Sequence, residues 1–243
     1  LKPINTNLID LLWKRKKDLN IKPFYLIKDQ HAGEKLENKL VKLRKLITLS
    51  KADYLFTTAS ENVAWLLNIR GDDTDYSPLP NTHAFIGKNK EIFLFCDLKK
   101  INKSLKSKLN KKIKIYDIKQ LPSFIVNLSN KKILIDILTC SIFFKTLINR
   151  KNLTIEKQDP IYLLKSLKNK TEIKNSIKSH IYDGAALSKF IFWLKNSFKT
   201  KKITEISAQE KLLGFRKKNK SFYSPSFPTI SGTGPNGAII HYK

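Results

Sequence analysis

The sequence predicts an α/β fold, a mixed sheet with flanking helices, and three observations predict it. Over residues 1 to about 155, stretches with apolar residues at helical spacing alternate with short runs rich in β-branched and aromatic residues. Two of those runs are joined through the polar pentapeptide GKNKE and read as a hairpin, so the sheet has antiparallel neighbours and is not purely parallel. A 41% hydrophobic content in 243 residues supplies enough apolar surface for a sizeable core.

From Gly33 to about Leu49, apolar residues recur at Leu36, Leu40, Val41, Leu43, Leu46 and Ile47 with Lys and Glu between them, which predicts an amphipathic helix. Tyr54–Thr57 reads as a short strand, and Glu61–Leu67 as a helix opened by Ser60 at its N-cap. Ala84–Ile86 and Ile92–Phe95 form the hairpin. Lys99–Leu109 is helical in pattern, Ile113–Tyr116 strand-like, Leu121–Leu128 a short helix, and Ile133–Ile135 a further strand. Pro160 interrupts the pattern in KQDPIYLLKS, and the chain beyond it has a long helical pattern. Thr171 is expected to cap a helix running to about Phe198, and Thr204 another through Phe215. In SFYSPSFPTISGTGPNGAIIHYK, Ser, Pro and Gly bracket two β-like stretches, Thr229–Ser231 and Ala238–Tyr242.

The charge is +27, from 47 basic against 20 acidic residues. Such a balance raises nucleic acid or an anionic membrane as a partner. Only five of the cations are Arg (15, 44, 70, 150, 216), however, and the Lys are spread through every segment rather than gathered in a patch. Base and phosphate readers lean on the bidentate guanidinium, so no specific nucleic-acid role is expected. No apolar run approaches the ~18 residues of a spanning helix, and LKPINTNLIDLLWKRKK has no signal-peptide core. Two cysteines, Cys96 and Cys140, are too few for a disulfide framework and sit in no metal spacing, which fits a reducing, cytoplasmic setting. The chain begins at Leu1 and contains no Met, so it is expected to be part of a longer protein.

Several constellations suggest chemistry. Gly232-Thr-Gly234-Pro-Asn-Gly237 matches G-x-G-x-x-G, but a strand pattern comes after it where a dinucleotide site needs a helix, so its glycines are expected to serve turns or close backbone approach. Asp72, Asp73 and Asp75 resemble a cation loop, yet the sixth and twelfth positions counted from Asp72 are Ser77 and His83 rather than Gly and Glu. Turn capping and pairing with Arg70 are the expectation there. His31, His83, His180 and His241 lie far apart, none with a second ligand at i+3 or i+4, and no G-x-S-x-G elbow is present.

Three segments, in order along the chain, resemble the Xaa-Pro aminopeptidases of the creatinase and methionyl aminopeptidase superfamily. TNLIDLLW is similar to the opening of that family's second domain, SENVAWLLNIRGDDTDYSP to its middle-domain signature, and FPTISGTGPNGAIIHY to the strand pair that opens its catalytic domain. EIKNSIKSHIYDGAALSKFIFWL is similar to the helix before that pair, whereas QHAGEKLENK matches the family's Y-A-G pattern only loosely.

The resemblance implies a creatinase-like, non-catalytic second domain over about 1–158 and the first part of a pita-bread peptidase domain over about 159–243. It implies two divalent metal ions, usually manganese in that family, held by two Asp, one His and two Glu that all lie beyond Lys243, so no metal ligand is expected in this chain. A metal-bridged hydroxide and a polarised carbonyl would serve the tertiary amide before proline, leaving an oxyanion donor and a proton for the proline nitrogen to be found. His241 matches the family's active-site histidine and is expected in that catalytic role, while Arg70 and Asp73, matching R-G-x-D, are expected beside the substrate at the interdomain wall. The implied substrate is a peptide with proline in the second position, the implied assembly a homodimer. A creatinase-like or X-Pro dipeptidase-like paralogue and a catalytically dead binding module are the alternatives.

Overall fold

The computed structural model describes residue 4 and residues 8–13, 22–109 and 112–242. The elements in chain order are α1 (Leu8–Leu12), β1 (Tyr25–Leu26), α2 (Asp29–Ala32), α3 (Leu36–Leu49), β2 (Tyr54–Thr57), α4 (Ser60–Leu67), β3 (Ile69–Arg70), β4 (His83–Gly87) and β5 (Ile92–Cys96). They continue with α5 (Lys103–Leu109), β6 (Lys114–Asp117), α6 (Leu121–Asn127), β7 (Lys132–Ile135), α7 (Ile142–Ile148), β8 (Leu153–Glu156), α8 (Pro160–Ser166), α9 (Lys170–Ser197) and α10 (Glu205–Lys217).

A six-stranded sheet in the order β6-β5-β4-β2-β7-β8 forms the centre, and it is mixed: β2/β4 and β4/β5 are antiparallel, whereas β5/β6, β2/β7 and β7/β8 are parallel. Helices cover both faces, which explains why β2 and β5 are buried at every position and read as unbroken apolar runs. The period of two sorts the side chains chemically. Phe56, Phe85, Phe93 and Phe95 point to one face, where Phe124 of α6 packs against the last three with ring centroids 4.8 to 5.3 Å apart. Leu55, Ile86, Leu94 and Leu134 point to the other, against Leu40, Leu43 and Ile47 of α3 and Val63 and Leu66 of α4.

Differences from the sequence reading have local causes. Pro160 does not interrupt structure but starts α8 at its first turn, where a missing N–H costs nothing, and Asp159 caps it by accepting from the Ile161 N–H at 2.8 Å. Ile161 is thereby driven fully into the core beside α3 and α4. The N-cap of α4 is Ala59, and the Ser60 hydroxyl instead faces the Thr82 carbonyl at 3.4 Å. Asn169, not Thr171, caps α9 through a capping box with Glu172. α7 and the edge strand β8 were not legible, because IFFKTLI and LTIE are too short to show a period.

The carboxy-terminal part consists of α9 and α10, packed on each other, and the segment beyond them. The expected strands Thr229–Ser231 and Ala238–Tyr242 are absent: Gly234–Ala238 forms a 3-10 turn instead. Among the described residues no neighbouring strand offers these stretches a ladder, and a lone strand has nothing to hydrogen-bond with.

Candidate functional site

The RGDDTDYSP loop leaves the end of α4. Asn68 closes that helix in the left-handed region at φ 54°, and two cations meet the buried carbonyls at and just beyond its end. Arg70 donates from Nη1 to the Ala64 and Ile69 carbonyls, 2.9 Å each, and Lys39 donates from Nζ to the Trp65 carbonyl and Asn68 Oδ1, 2.7 Å each. Lys39 also stands 4.1 Å from the centroid of the Trp65 ring, and burial brings its ammonium down to about 8. Burial likewise lowers the Arg70 guanidinium.

The expected pairing of the loop's carboxylates with Arg70 does not occur, because that guanidinium is committed to backbone carbonyls. Asp73 pairs instead with Lys100, both side chains under 10% exposed (6% and 9%), and accepts from the Asn81 N–H at 2.7 Å. Asp72 lies 3.3 Å from Lys22 Nζ and accepts from the Tyr223 hydroxyl at 2.6 Å. The loop is thus pinned to the sheet unit by Asp73 and to the carboxy-terminal segment by Asp72. The Tyr25 and Tyr223 rings, 6.5 Å apart, reinforce the second link.

A second joint lies at the start of α9. Asn169 Nδ2 donates to the Ala32 carbonyl at 2.9 Å and Asn175 Nδ2 to the Gln30 carbonyl at 3.0 Å. Gly33 makes this approach feasible, since its φ is 67° and a Cβ there would meet Asn169 Oδ1 at 2.4 Å and Thr171 Cβ at 2.5 Å.

His241 lies in the turn after Gly234–Ala238, exposed and at φ 57°. The glycines before it act as turn residues: a Cβ on Gly232 would sit 3.0 Å from the Asn236 carbonyl oxygen, and Gly234 has φ 56°. Glu205 at the start of α10 collects this loop, accepting from the Thr233 N–H at 2.6 Å and from Asn236 Nδ2 at 3.1 Å. These donors, Asn236 foremost, hold its carboxyl below the usual range. No hydrogen bond or ion pair joins His241 to Arg70 or Asp73 among the described residues, and Tyr223 ties the carboxy-terminal segment to Asp72, the neighbour of Asp73.

Sequence reasoning missed Lys39, Glu205, Tyr223 and a buried acidic pair. Asp159 accepts from Thr57 Oγ1 at 2.6 Å and Asn62 Nδ2 at 2.9 Å, and Asp136 accepts from the Asp159 N–H at 2.9 Å; burial raises the Asp159 carboxyl. Only the D-P-I cap could have signalled any of this. The cysteines are buried and their thiols pushed up, Cys96 to about 12 and Cys140 to about 11, so neither is primed as a nucleophile. His83 is wedged between Phe56 and Phe144, and burial lowers its imidazole. An apolar groove of about 580 Å³ between α9 and α10, walled by Phe192, Trp193 and Phe215, contains none of the predicted site residues.

No group of three or more His, Cys, Asp or Glu among the described residues could hold a metal ion, so these residues do not fit a dinuclear centre. No helix among them is long and apolar enough to cross a membrane.

The chain is 35% identical over 249 residues to Xaa-Pro aminopeptidase 1 of Dictyostelium discoideum, a match that takes in 98% of this chain and 39% of that protein. It is 32% identical over 250 residues to Xaa-Pro aminopeptidase ApepP of Drosophila melanogaster, covering 100% and 40% respectively. The chain therefore spans about two fifths of the length of these curated relatives. The crystal structure of the Caenorhabditis elegans X-prolyl aminopeptidase, described as a cytosolic enzyme with a di-nuclear active site, superposes with a TM-score of 0.86 at 26% identity over 94% of this chain and 38% of that one. A Xaa-Pro dipeptidase from Bacillus anthracis, at 17% identity and a TM-score of 0.54 over 75% of this chain and 49% of that one, shares the fold. Residues 15–172 match the creatinase/prolidase N-terminal domain and residues 175–243 match metallopeptidase family M24, so the chain belongs to the creatinase/prolidase N-terminal domain family and carries a stretch of M24 metallopeptidase sequence after it.

Proposed function

We propose that the full-length protein is a metal-dependent Xaa-Pro aminopeptidase, a hydrolase that removes the N-terminal residue from peptides with proline in the second position. The observation that carries this reading is similarity to Xaa-Pro aminopeptidases along essentially the whole chain, 98% of it for the Dictyostelium relative. In this reading residues 1–158 are the non-catalytic second domain and 159–243 open the peptidase domain. The metal ligands lie beyond Lys243, the ions are two divalent metals, manganese in the finer form of the proposal, and the enzyme works as a cytoplasmic homodimer.

The bond before proline is a tertiary amide whose nitrogen has no hydrogen and whose ring obstructs approach. Breaking it requires a donor to the developing oxyanion and a proton for the departing nitrogen. His241 is the residue of this chain assigned to one of those tasks, since an imidazole can donate or accept a proton near neutral pH. Arg70 and Asp73 act at one remove, shaping the wall beside the substrate; their engagement with the α4 carbonyls and with Lys100 supports a shaping part rather than a chemical one.

The test uses the full-length protein and the 243-residue chain side by side, each with manganese and an Arg-Pro-Pro peptide. Full-length protein should release free arginine, and should fail when the second residue is alanine. The chain alone should release none. Turnover by the chain alone would place the metal site within it, and an inactive full-length protein that binds duplex DNA with sequence preference at physiological salt would favour the binding-module alternative.

A further inference from the structure

The carboxylate of Glu205 lies in the first turn of α10, where its charge suits the helix dipole, but it is not needed as the cap. α10 is capped without it: the Thr204 hydroxyl accepts from the Ser207 N–H at 3.1 Å, and Ser207 Oγ accepts from the Thr204 N–H at 2.9 Å. Glu205 is thereby left to face a loop whose bonding partners Ser231 to Asn236 lie 26 to 31 residues further along the chain. Its Oε1 accepts from the Thr233 N–H at 2.6 Å, and its two oxygens accept from Asn236 Nδ2 at 3.1 and 3.3 Å. The Tyr242 hydroxyl joins this network through Asn236, whose Nδ2 also donates to it at 3.0 Å. Even the Glu205 backbone carbonyl takes part, accepting from Ser231 Oγ at 3.0 Å.

One residue therefore anchors positions 231, 233 and 236 directly and position 242 through Asn236, and together these bracket His241 on both sides. The anchored backbone is compact, with Gly232 packed on Asn236 and the Ile239 N–H donating to the Asn236 carbonyl at 3.1 Å. Donors aimed at an ionised carboxylate make stronger, shorter hydrogen bonds than neutral pairs, so a single charge can order a loop that has no sheet partner here. We propose that Glu205 is a positioning residue, whose carboxylate orders the 231–242 loop and so fixes where the His241 imidazole is presented. The part assigned to His241 rests on the aminopeptidase reading above; the ordering of the loop does not.

Because no residue of α10 is buried, removing this carboxylate should not unfold the chain, and loop order can be read separately from stability. The experiment compares Glu205→Ala and Glu205→Gln in two settings. In the 243-residue chain, amide hydrogen exchange at Thr233 should be slow in the parent, at least about ten-fold faster in Glu205→Ala, and intermediate in Glu205→Gln, whose single amide oxygen still accepts but carries no charge, with the melting temperature unchanged throughout. In the full-length protein, Glu205→Ala should lower kcat on an X-Pro peptide by about 10- to 100-fold, the usual result of small misplacement, while KM stays within about two-fold and Glu205→Gln recovers part of the rate. Slow exchange at Thr233 in Glu205→Ala overturns the ordering claim. Fast exchange with an unchanged kcat overturns the positioning claim. A parent protein inactive on X-Pro peptides removes the aminopeptidase reading and with it the role of His241, while the exchange arm still decides whether Glu205 orders the loop.

Discussion

α3 and α9 carry the same pattern and meet different fates. In α3 the apolar residues at helical spacing, Leu40, Leu43 and Ile47, are at most 4% exposed beneath the sheet. In α9, Ile173, Ile177 and Ile181 repeat at the same spacing and are 49%, 58% and 64% exposed, and across its 28 residues only Ala186 and Ser197 are buried. Periodicity therefore specifies the element and the face it offers, whereas burial within this chain follows the neighbours that its described residues supply. The sheet unit is a closed core with helices on both sides. The carboxy-terminal helices rest on it through two polar joints, Asn169/Asn175 on α2 and Tyr223 on Asp72.

The contrast can be broken most forcefully at the core. Leu43→Ala should destabilise the chain by about 3 kcal/mol, the transfer and cavity terms together, while Ile181→Ser should change it by no more than about 0.5 kcal/mol. Denaturant midpoints read both, and equal effects would erase the distinction. Gly33→Ala attacks the joint instead. It places a Cβ against Asn169 and Thr171 in a left-handed backbone and should cost about 2 kcal/mol, of which none is recovered by enlarging a neighbouring side chain. Thermal denaturation checks it, and a neutral variant would mean that the α2–α9 contact is not tight.

A gentler probe titrates Lys39, held at about 8 against its ordinary 10.5 chiefly by burial. Between those values the unfolded chain binds more protons than the folded one, so this residue makes stability rise as pH climbs from 8 to 10.5. Urea titrations across that window should show a shallower rise in Lys39→Met than in the parent. Identical slopes would show that the ammonium is not desolvated in solution.

The sheet was legible because its strands are short apolar runs between Gly, Asn and Lys turns, and β2 was placed to the residue. The burial of Lys39 was not legible, since a Lys on a helix ordinarily faces water, and only the carbonyl end of α4 together with the Trp65 ring makes the site bearable. Val41, counted with the apolar stripe, is 71% exposed, because it falls between the rows that meet the sheet. Of the candidate site, His241 was singled out through the surrounding GTGPNGAIIHY, but Glu205 was not: no local pattern links a helix-start glutamate to an amide 28 residues onward. Arg70 and Asp73 stood out as a charged motif, and their partners, carbonyls and Lys100, are fixed by chain crossings that spacing does not encode.

The most direct measurement is kinetic, on the full-length protein carrying His241→Ala. If this imidazole serves the oxyanion or the proline nitrogen, its contribution is made in the transition state, so kcat on an X-Pro peptide should fall by roughly 10²–10³-fold with KM nearly unchanged, and metal content measured on the same sample should equal that of the parent. A normal kcat would make His241 a surface residue of the turn, and lost metal would make it a ligand; either result contradicts the role proposed for it.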